Sequence, residues 1–328
     1  MSSPPTESTL TDNELSFDTY DIDYKIFKDG EFIEKGFNNK SNKFKLIPGL
    51  TQEEIQKKDE NIEYPKYFTN ISTKNFDYIG ILSNHLKRDK YGYSKMDNDD
   101  EFLGEYKNEI RDGFGIYKFS PSSEEKIQDI YIGDYKDNKK EGQGMYLKIY
   151  KYIQENPNEE INLINFNTGF GTFENDIFKS GKIFSSKDGI DMLYIGKLNE
   201  LGEPEDDDAF IFEQGNKIFR GKISKGDMIE GRNIFVNEKY EKTKAYYFNK
   251  IEDKYDFDYA KKEEVDEENI KKIKENPVNN YLKQIKDIFK EINNAFDIFK
   301  NYDAAMGINF ENEIKNKIKS EIDRIIKQ

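Results

Sequence analysis

Residues 102–119 read FLGEYKNEIRDGFGIYKF, and the same pattern returns from Tyr131 as YIGDYKDNKKEGQGMY. In each copy an aromatic, a spacer and a glycine (Gly104, Gly133) are followed two residues later by a tyrosine (Tyr106, Tyr135). A polar stretch comes next, then a glycine nine residues after the first (Gly113, Gly142), another two later (Gly115, Gly144), and a closing aromatic (Tyr117, Tyr146). A period of this size marks stacked supersecondary units.

Weaker copies lie on both sides. Tyr78-Ile79-Gly80 opens one that closes with Tyr91-Gly92-Tyr93. Gly171-Thr172-Phe173 leads to Gly181 and Phe184, Tyr194-Ile195-Gly196 to Phe210-Ile211-Phe212, and Phe219-Arg220-Gly221 to Gly231 and Phe235. The first glycines fall at 80, 104, 133, 171, 196 and 221, so the spacings are 24, 29, 38, 25 and 25. The shorter spacings are the bare unit, and the longer ones carry extended loops. Gly30 and Gly36, in YKIFKDGEFIEKGF from Tyr24, mark a further degenerate hairpin.

Aromatic and β-branched residues alternating with polar ones predict half-buried strands, and glycine in a charged stretch predicts a turn. Each unit is therefore expected to be two antiparallel strands joined by a tight loop. Side chains alternate across a strand, so Phe102, Gly104 and Tyr106 share one face while Leu103 and Glu105 share the other. A glycine between two aromatics leaves room for a ring of the neighbouring hairpin to lie flat on the backbone. A lone hairpin is marginal in water, so stability must come from stacking along one sheet.

These features resemble the MORN (membrane occupation and recognition nexus) repeat. Residues 102–119 and 131–146 carry both halves of that pattern, the other four copies keep the first glycine, and the resemblance covers roughly residues 76–240. It implies a mainly β fold, an elongated single-layer antiparallel sheet of stacked β-hairpin repeats with a grooved face. It also implies a scaffolding role in cytoskeletal, ciliary or junctional assemblies, with phospholipid binding as a further property of the family.

Composition sets limits on this picture. Hydrophobic and charged residues each make up 35% of the 328 residues and the mean hydropathy is −0.94, too polar for a thick core. The 25 Phe and 22 Tyr nevertheless exclude wholesale disorder. The abundance of Lys, Asn, Ile, Tyr and Phe matches AT-rich coding, as in many protists, so lysine content is not a binding signal. A net charge of −14 disfavours nucleic acid. With no cysteine there are no disulfides, which suits a reducing compartment. MSSPPTESTLTDNELS at the N-terminus has neither the apolar core of a secretory signal nor the arginines of a transit peptide.

The expected organisation is a flexible acidic tail over 1–16, an irregular extension over 17–75 with a helix near 51–59 and the degenerate hairpin, the repeat sheet over 76–240, and a helical region over 241–328. Residues 200–208 form an acidic insertion. A helical run at 263–275 ends before Pro277. Beyond it, Tyr281, Ile285, Ile288, Ile292, Ala295 and Phe299 recur at helical spacing, with Leu282, Phe289 and Phe296 beside them. A second stripe (Phe310, Ile314, Ile318, Ile322, Ile325) follows Gly307. Two such helices would form an αα-hairpin or fold back onto the sheet, and a helix laid across the exposed terminal hairpin is the expected way to protect that edge. The sharper reading has it dock a partner, or a second copy of the chain.

Catalysis is not expected. The single histidine, His85, stands in a polar SNHLKR context, and no nucleophile elbow, P-loop, HExxH or dinucleotide fingerprint is present. No metal site and no cofactor are expected. The expected function is a non-catalytic scaffold or adaptor in a cytoskeletal assembly, the ciliary axoneme being the one the resemblance implies, that binds protein partners in a large assembly. The residues singled out for partner contact are Tyr106, Tyr117, Tyr135 and Tyr146, with Phe114 exposed between glycines, and Ile285, Phe289, Ile292 and Phe296 of the helical stripe. One alternative is a peripheral membrane adaptor binding phosphoinositides through Arg111, Lys118, Lys136, Lys139, Lys140 and Lys148, a set largely cancelled by neighbouring acids. A second is an accessory subunit of a large organellar complex.

Overall fold

The computed structural model describes residues 22–28, 31–38, 66–72, 76–82, 87–121, 128–153, 162–187, 190–213, 217–236, 242–251, 254–259, 278–301, 304–305 and 308–327. The acidic tail, the helix near 51–59, His85 and the run at 263–275 lie outside these residues. Among the described residues the fold is mainly β: one 17-stranded antiparallel sheet with two helices after it. The strands are β1 (Ile22–Lys28), β2 (Glu31–Asn38), β3 (Lys66–Ser72), β4 (Phe76–Leu82), β5 (Arg88–Met96), β6 (Glu101–Lys107), β7 (Ile110–Phe119), β8 (Gln128–Lys136) and β9 (Lys139–Ile153). They continue as β10 (Asn162–Glu174), β11 (Ile177–Lys187), β12 (Ile190–Lys197), β13 (Asp206–Glu213), β14 (Lys217–Ser224), β15 (Asp227–Val236), β16 (Lys242–Ile251) and β17 (Lys254–Tyr259). Helix α1 spans Val278–Phe299, and a π-helical segment Phe310–Lys315 runs into α2, Asn316–Lys327.

From β3 to β17 each strand pairs with the next, and β1 pairs with both β2 and β3. The sheet therefore extends past 76–240 at both ends. The degenerate hairpin expected around Gly30 and Gly36 is the antiparallel pair β1–β2, with Tyr24 opposite Gly36, while Gly30 itself lies outside the described residues. At the other end β16 and β17 occupy residues expected to be helical. Tyr246, Tyr247, Phe248, Tyr255 and Phe257 supply the strand-forming aromatics there.

One row of glycines runs straight across nine consecutive strands. Gly80 faces Gly92, which faces Gly104, then Gly115, Gly133, Gly144, Gly171, Gly181 and Gly196 in turn. The row resumes as Ala209, Gly221 and Gly231 on β13 to β15. The reason is steric. A Cβ on Gly115 would meet the Phe102 ring at 2.5 Å, one on Gly133 the Tyr131 hydroxyl at 2.5 Å, and one on Gly92 the Tyr78 ring at 2.5 Å. In these three hairpins the ring comes from two residues before the first glycine, whereas Gly171 and Gly181 are crowded by the Ser180 and Phe170 carbonyls instead. The expected neighbour contributes less: Tyr135 approaches Gly115 only at 3.3 Å.

Two-residue turns close the hairpins β6–β7, β8–β9 and β10–β11. Asn108 and Glu109, Asp137 and Asn138, and Asn175 and Asp176 all have positive φ, between 48° and 75°. This is type I′ geometry, which matches strand twist. Past the turn the return strand bulges. Between the pairs Tyr106–Arg111 and Gly104–Gly115, three residues of β7 stand opposite Glu105 alone. Gly113 takes φ 110° there, and the Phe114 N–H donates to Glu105 Oε2 at 2.5 Å.

Alternation gives the sheet two unlike faces. Tyr78, Phe102, Tyr106, Tyr117, Tyr131 and Tyr135 line the ring face. The aliphatic face carries Ile79, Leu103, Ile116, Ile132, Met145 and Leu147, and it forms one core with both helices.

Candidate functional site

The helical hairpin lies across the middle of the aliphatic face rather than on a terminal edge. At its N-terminal end Tyr281 stacks on Phe184 of β11 (6.4 Å), and towards its C-terminal end Phe296 meets Tyr93 (6.0 Å) and Phe299 meets Tyr91 (6.2 Å) on β5. The lengths agree: Tyr281 to Phe299 rises about 27 Å as a helix, and six strand gaps span about 29 Å. Helix α2 returns in the opposite sense. Lys315 Nζ reaches Glu105 on β6 (3.0 Å), Lys319 Nζ reaches Asp134 on β8 (2.7 Å), and the Ile325 carbonyl accepts from Lys182 Nζ on β11 (2.9 Å). Lys317 to Glu291, at 2.7 Å, ties the two helices together. A face cover is more stable than an edge cap here, because both apolar stripes are buried against apolar sheet.

Polar anchors frame this interface. Lys118 Nζ donates to Asn293 Oδ1 at 2.9 Å and sits 4.1 Å over the Phe296 ring. Lys300 pairs with Glu101 at 2.8 Å, and Glu101 also accepts from the Tyr93 hydroxyl at 2.6 Å. Burial pushes the Lys118 ammonium down to about 8, partly offset by Glu101, and burial likewise brings Lys182 down to about 8.

On the ring face a basic residue stands first or second in each of three return strands and lies over aromatics. Arg88 is 4.9 Å above Tyr106, Arg111 is 5.2 Å above Tyr117 and 5.4 Å above Tyr135, and Lys140 is 5.2 Å above Phe119. The turn of the next hairpin clamps the backbone of each. The N–H groups of Glu109, Asn138 and Asp176 donate to the carbonyls of Arg88, Arg111 and Lys140, each at 3.0 Å. The side chains return the contact: Asn138 Oδ1 accepts from the Arg111 N–H at 2.9 Å, and Asp176 Oδ1 from the Lys140 N–H at 2.8 Å. Glu109 bonds the Arg88 N–H and pairs with its Nε at 2.7 Å. This ladder was not anticipated, although its signal is in the sequence: Asn or Asp in each doublet that must adopt positive φ.

The residues expected at a partner surface are mostly interior. Phe114 is 1% exposed on the helix-covered face, because it alternates with Gly115 and stands opposite Asp134 of β8, on the side that carries Ile116. Tyr106, Tyr117 and Tyr135 are buried among the rings, and Tyr146 alone is half-buried, at 5.5 Å from Phe178. Ile285, Phe289, Ile292 and Phe296 are buried against the sheet. The large apolar side chains that do reach solvent among the described residues are Tyr150 and Leu201. The six basic candidates do not converge: Arg111 and Lys140 lie over rings, whereas Lys118 is beneath α1 on the opposite face. Lys139 reaches Asn175 at 3.3 Å. Within 200–208, Asp206–Asp208 open β13, and Asp207 and Asp208 pair with Lys222 and Arg220 at 2.9 and 2.7 Å. Among the described residues no group of three or more His, Cys, Asp or Glu is placed to hold a metal, and no helix is long and apolar enough to cross a membrane.

A scan against protein-family models and a search of curated proteins both return no match for this chain.

Proposed function

We propose that this chain is a non-catalytic scaffold or adaptor in a protein assembly, the ciliary axoneme being the assembly that the MORN resemblance implies. The observation that carries the reading is the unbroken glycine row from Gly80 to Gly196. It holds nine strands in one continuous sheet, about 38 Å from first to last at the usual strand spacing. The whole pattern of rings and glycines is spent on making an extended, rigid body, which is what a spacer between partners needs. Partner contact falls to the solvent-facing side of α1–α2 and to the turn rims, since the rings and the helical stripe are used internally. Tagging the chain in a ciliated cell, extracting with detergent and analysing the axonemes by mass spectrometry tests this directly. Retention in the insoluble axoneme is the expected result. Release with the membrane fraction, together with co-sedimentation on phosphoinositide liposomes, would replace it with the membrane-adaptor reading.

A further inference from the structure

The aliphatic face is quasi-periodic. Leu103, Ile116, Ile132 and Met145 present similar side chains on successive strands, so an apolar stripe alone would find several near-equivalent seats along it. The residue after each first glycine breaks that degeneracy. In chain order these residues are Ile81, Glu105, Asp134, Thr172, Lys197 and Lys222. Only two are acidic, and they are adjacent. Opposite them stand Lys315, the last residue of the π-helical segment, and Lys319 of α2, about one helical turn apart. Lys315 Nζ bonds Glu105 Oε1 at 3.0 Å, and Lys319 Nζ bonds both oxygens of Asp134 at 2.7 and 2.9 Å. One turn covers about 6 Å and one hairpin step about 9.5 Å, a difference two lysine stems can span. A seat one hairpin towards the C-terminus would set the lysines against Asp134 and Thr172, and the next would bring Lys197 into repulsion. One hairpin the other way, Ile81 offers nothing to a lysine.

We propose that Glu105 and Asp134 select and register the helix on the sheet. This face then accepts an apolar-striped helix bearing two basic side chains four residues apart, here the chain's own α2. Other anchors, among them Lys300–Glu101, Lys118–Asn293 and Lys182–Ile325, do not sit at the repeated position. Specificity arises as much from the repelling lysines of the outer repeats as from the attracting acids.

The test uses the full chain and the Asp134–Lys319 pair, whose carboxylate, unlike that of Glu105, is not engaged by a bulge N–H. Amide hydrogen exchange is followed in α2 and in β8–β9 for Asp134→Lys, Lys319→Glu and the double exchange Asp134→Lys/Lys319→Glu. Each single reversal is expected to speed exchange in α2 roughly fivefold while strand amides keep their protection. The double exchange is expected to return α2 to the unmodified rate. Lys319→Gln, which removes the attraction without adding repulsion, should give a smaller rise and guards against misfolding of the reversals. The proposal is overturned if the double exchange is as fast as either single, or if neither single changes α2.

Discussion

Phe102 lies flat across Gly104 and its cross-strand partner Gly115, so close that a Cβ on either glycine would stand 2.5–2.6 Å from its ring. The two glycines differ in what else they would meet. At Gly104 the Gly115 Cα (2.5 Å) and the Phe114 carbonyl oxygen (2.7 Å) also obstruct, whereas at Gly115 the remaining neighbour is Tyr135 at 3.3 Å. Both alanine substitutions should destabilise by about 1–3 kcal/mol through overpacking. They should separate in a double-mutant cycle. Phe102→Leu should offset much of the cost of Gly115→Ala and little of that of Gly104→Ala, because backbone cannot step aside as a side chain can. Equal coupling in urea denaturation would contradict the packing described.

The turn ladder gives a second prediction. Asn138 combines φ 66° with an Oδ1 that accepts from the Arg111 N–H. Asn138→Ala loses the bond and keeps the strain, for about 1–2 kcal/mol. Asn138→Gly loses only the bond and should cost less. Thermal melts of the two variants give the order directly, and alanine being the milder change would count against the ladder.

Helical-stripe residues act as core. Ile292→Ala should cost about 2–5 kcal/mol and Phe296→Ala about 3–5 kcal/mol, since both are fully buried. Leu201→Ala, at a side chain 74% exposed, should stay within about 0.5 kcal/mol. Denaturant midpoints of the three variants check this.

Much of the fold could be read from the sequence, because its determinants are local. The FLGEY alternation places Phe102, Gly104 and Tyr106 on one face and Leu103 on the other, as the structure has them. The two apolar stripes after residue 278 form α1 and α2. What escaped the sequence is set by long-range pairing. Phe114 sits between glycines and looks exposed, but it lies on the face that the helices cover, opposite Asp134 of β8. The docking position of the helices depends on Lys315 finding Glu105, a contact 210 residues apart. The degenerate outer strands β16 and β17 lack glycine altogether, so the repeat template could not reach them.

Stability should depend on pH in two opposed ways. Lys118 and Lys182 titrate near 8 in the folded chain because burial disfavours their charge. Their folded values lie below the ordinary lysine range, so the unfolded chain binds more protons between about pH 8 and 10.5, and stability rises with pH across that window. Burial raises the phenols of Tyr78, Tyr106 and Tyr146 above 10. Their contribution is complete below pH 10 and is lost as pH climbs beyond it. The melting temperature should therefore rise from pH 8, crest near 10 and then fall. Lys118→Met should flatten the rising limb, and an unchanged limb would show that this lysine is not desolvated by α1.

Zero-length carbodiimide cross-linking of the unmodified protein, read by mass spectrometry, tests most directly that the helical hairpin lies across the centre of the sheet. Carbodiimide joins a lysine to a carboxylate only where the two are in contact. The account predicts intramolecular links Lys319–Asp134, Lys315–Glu105 and Lys300–Glu101, whose atoms stand 2.7–3.0 Å apart. Links from Lys315 and Lys319 only to acids outside β6 and β8 would contradict it.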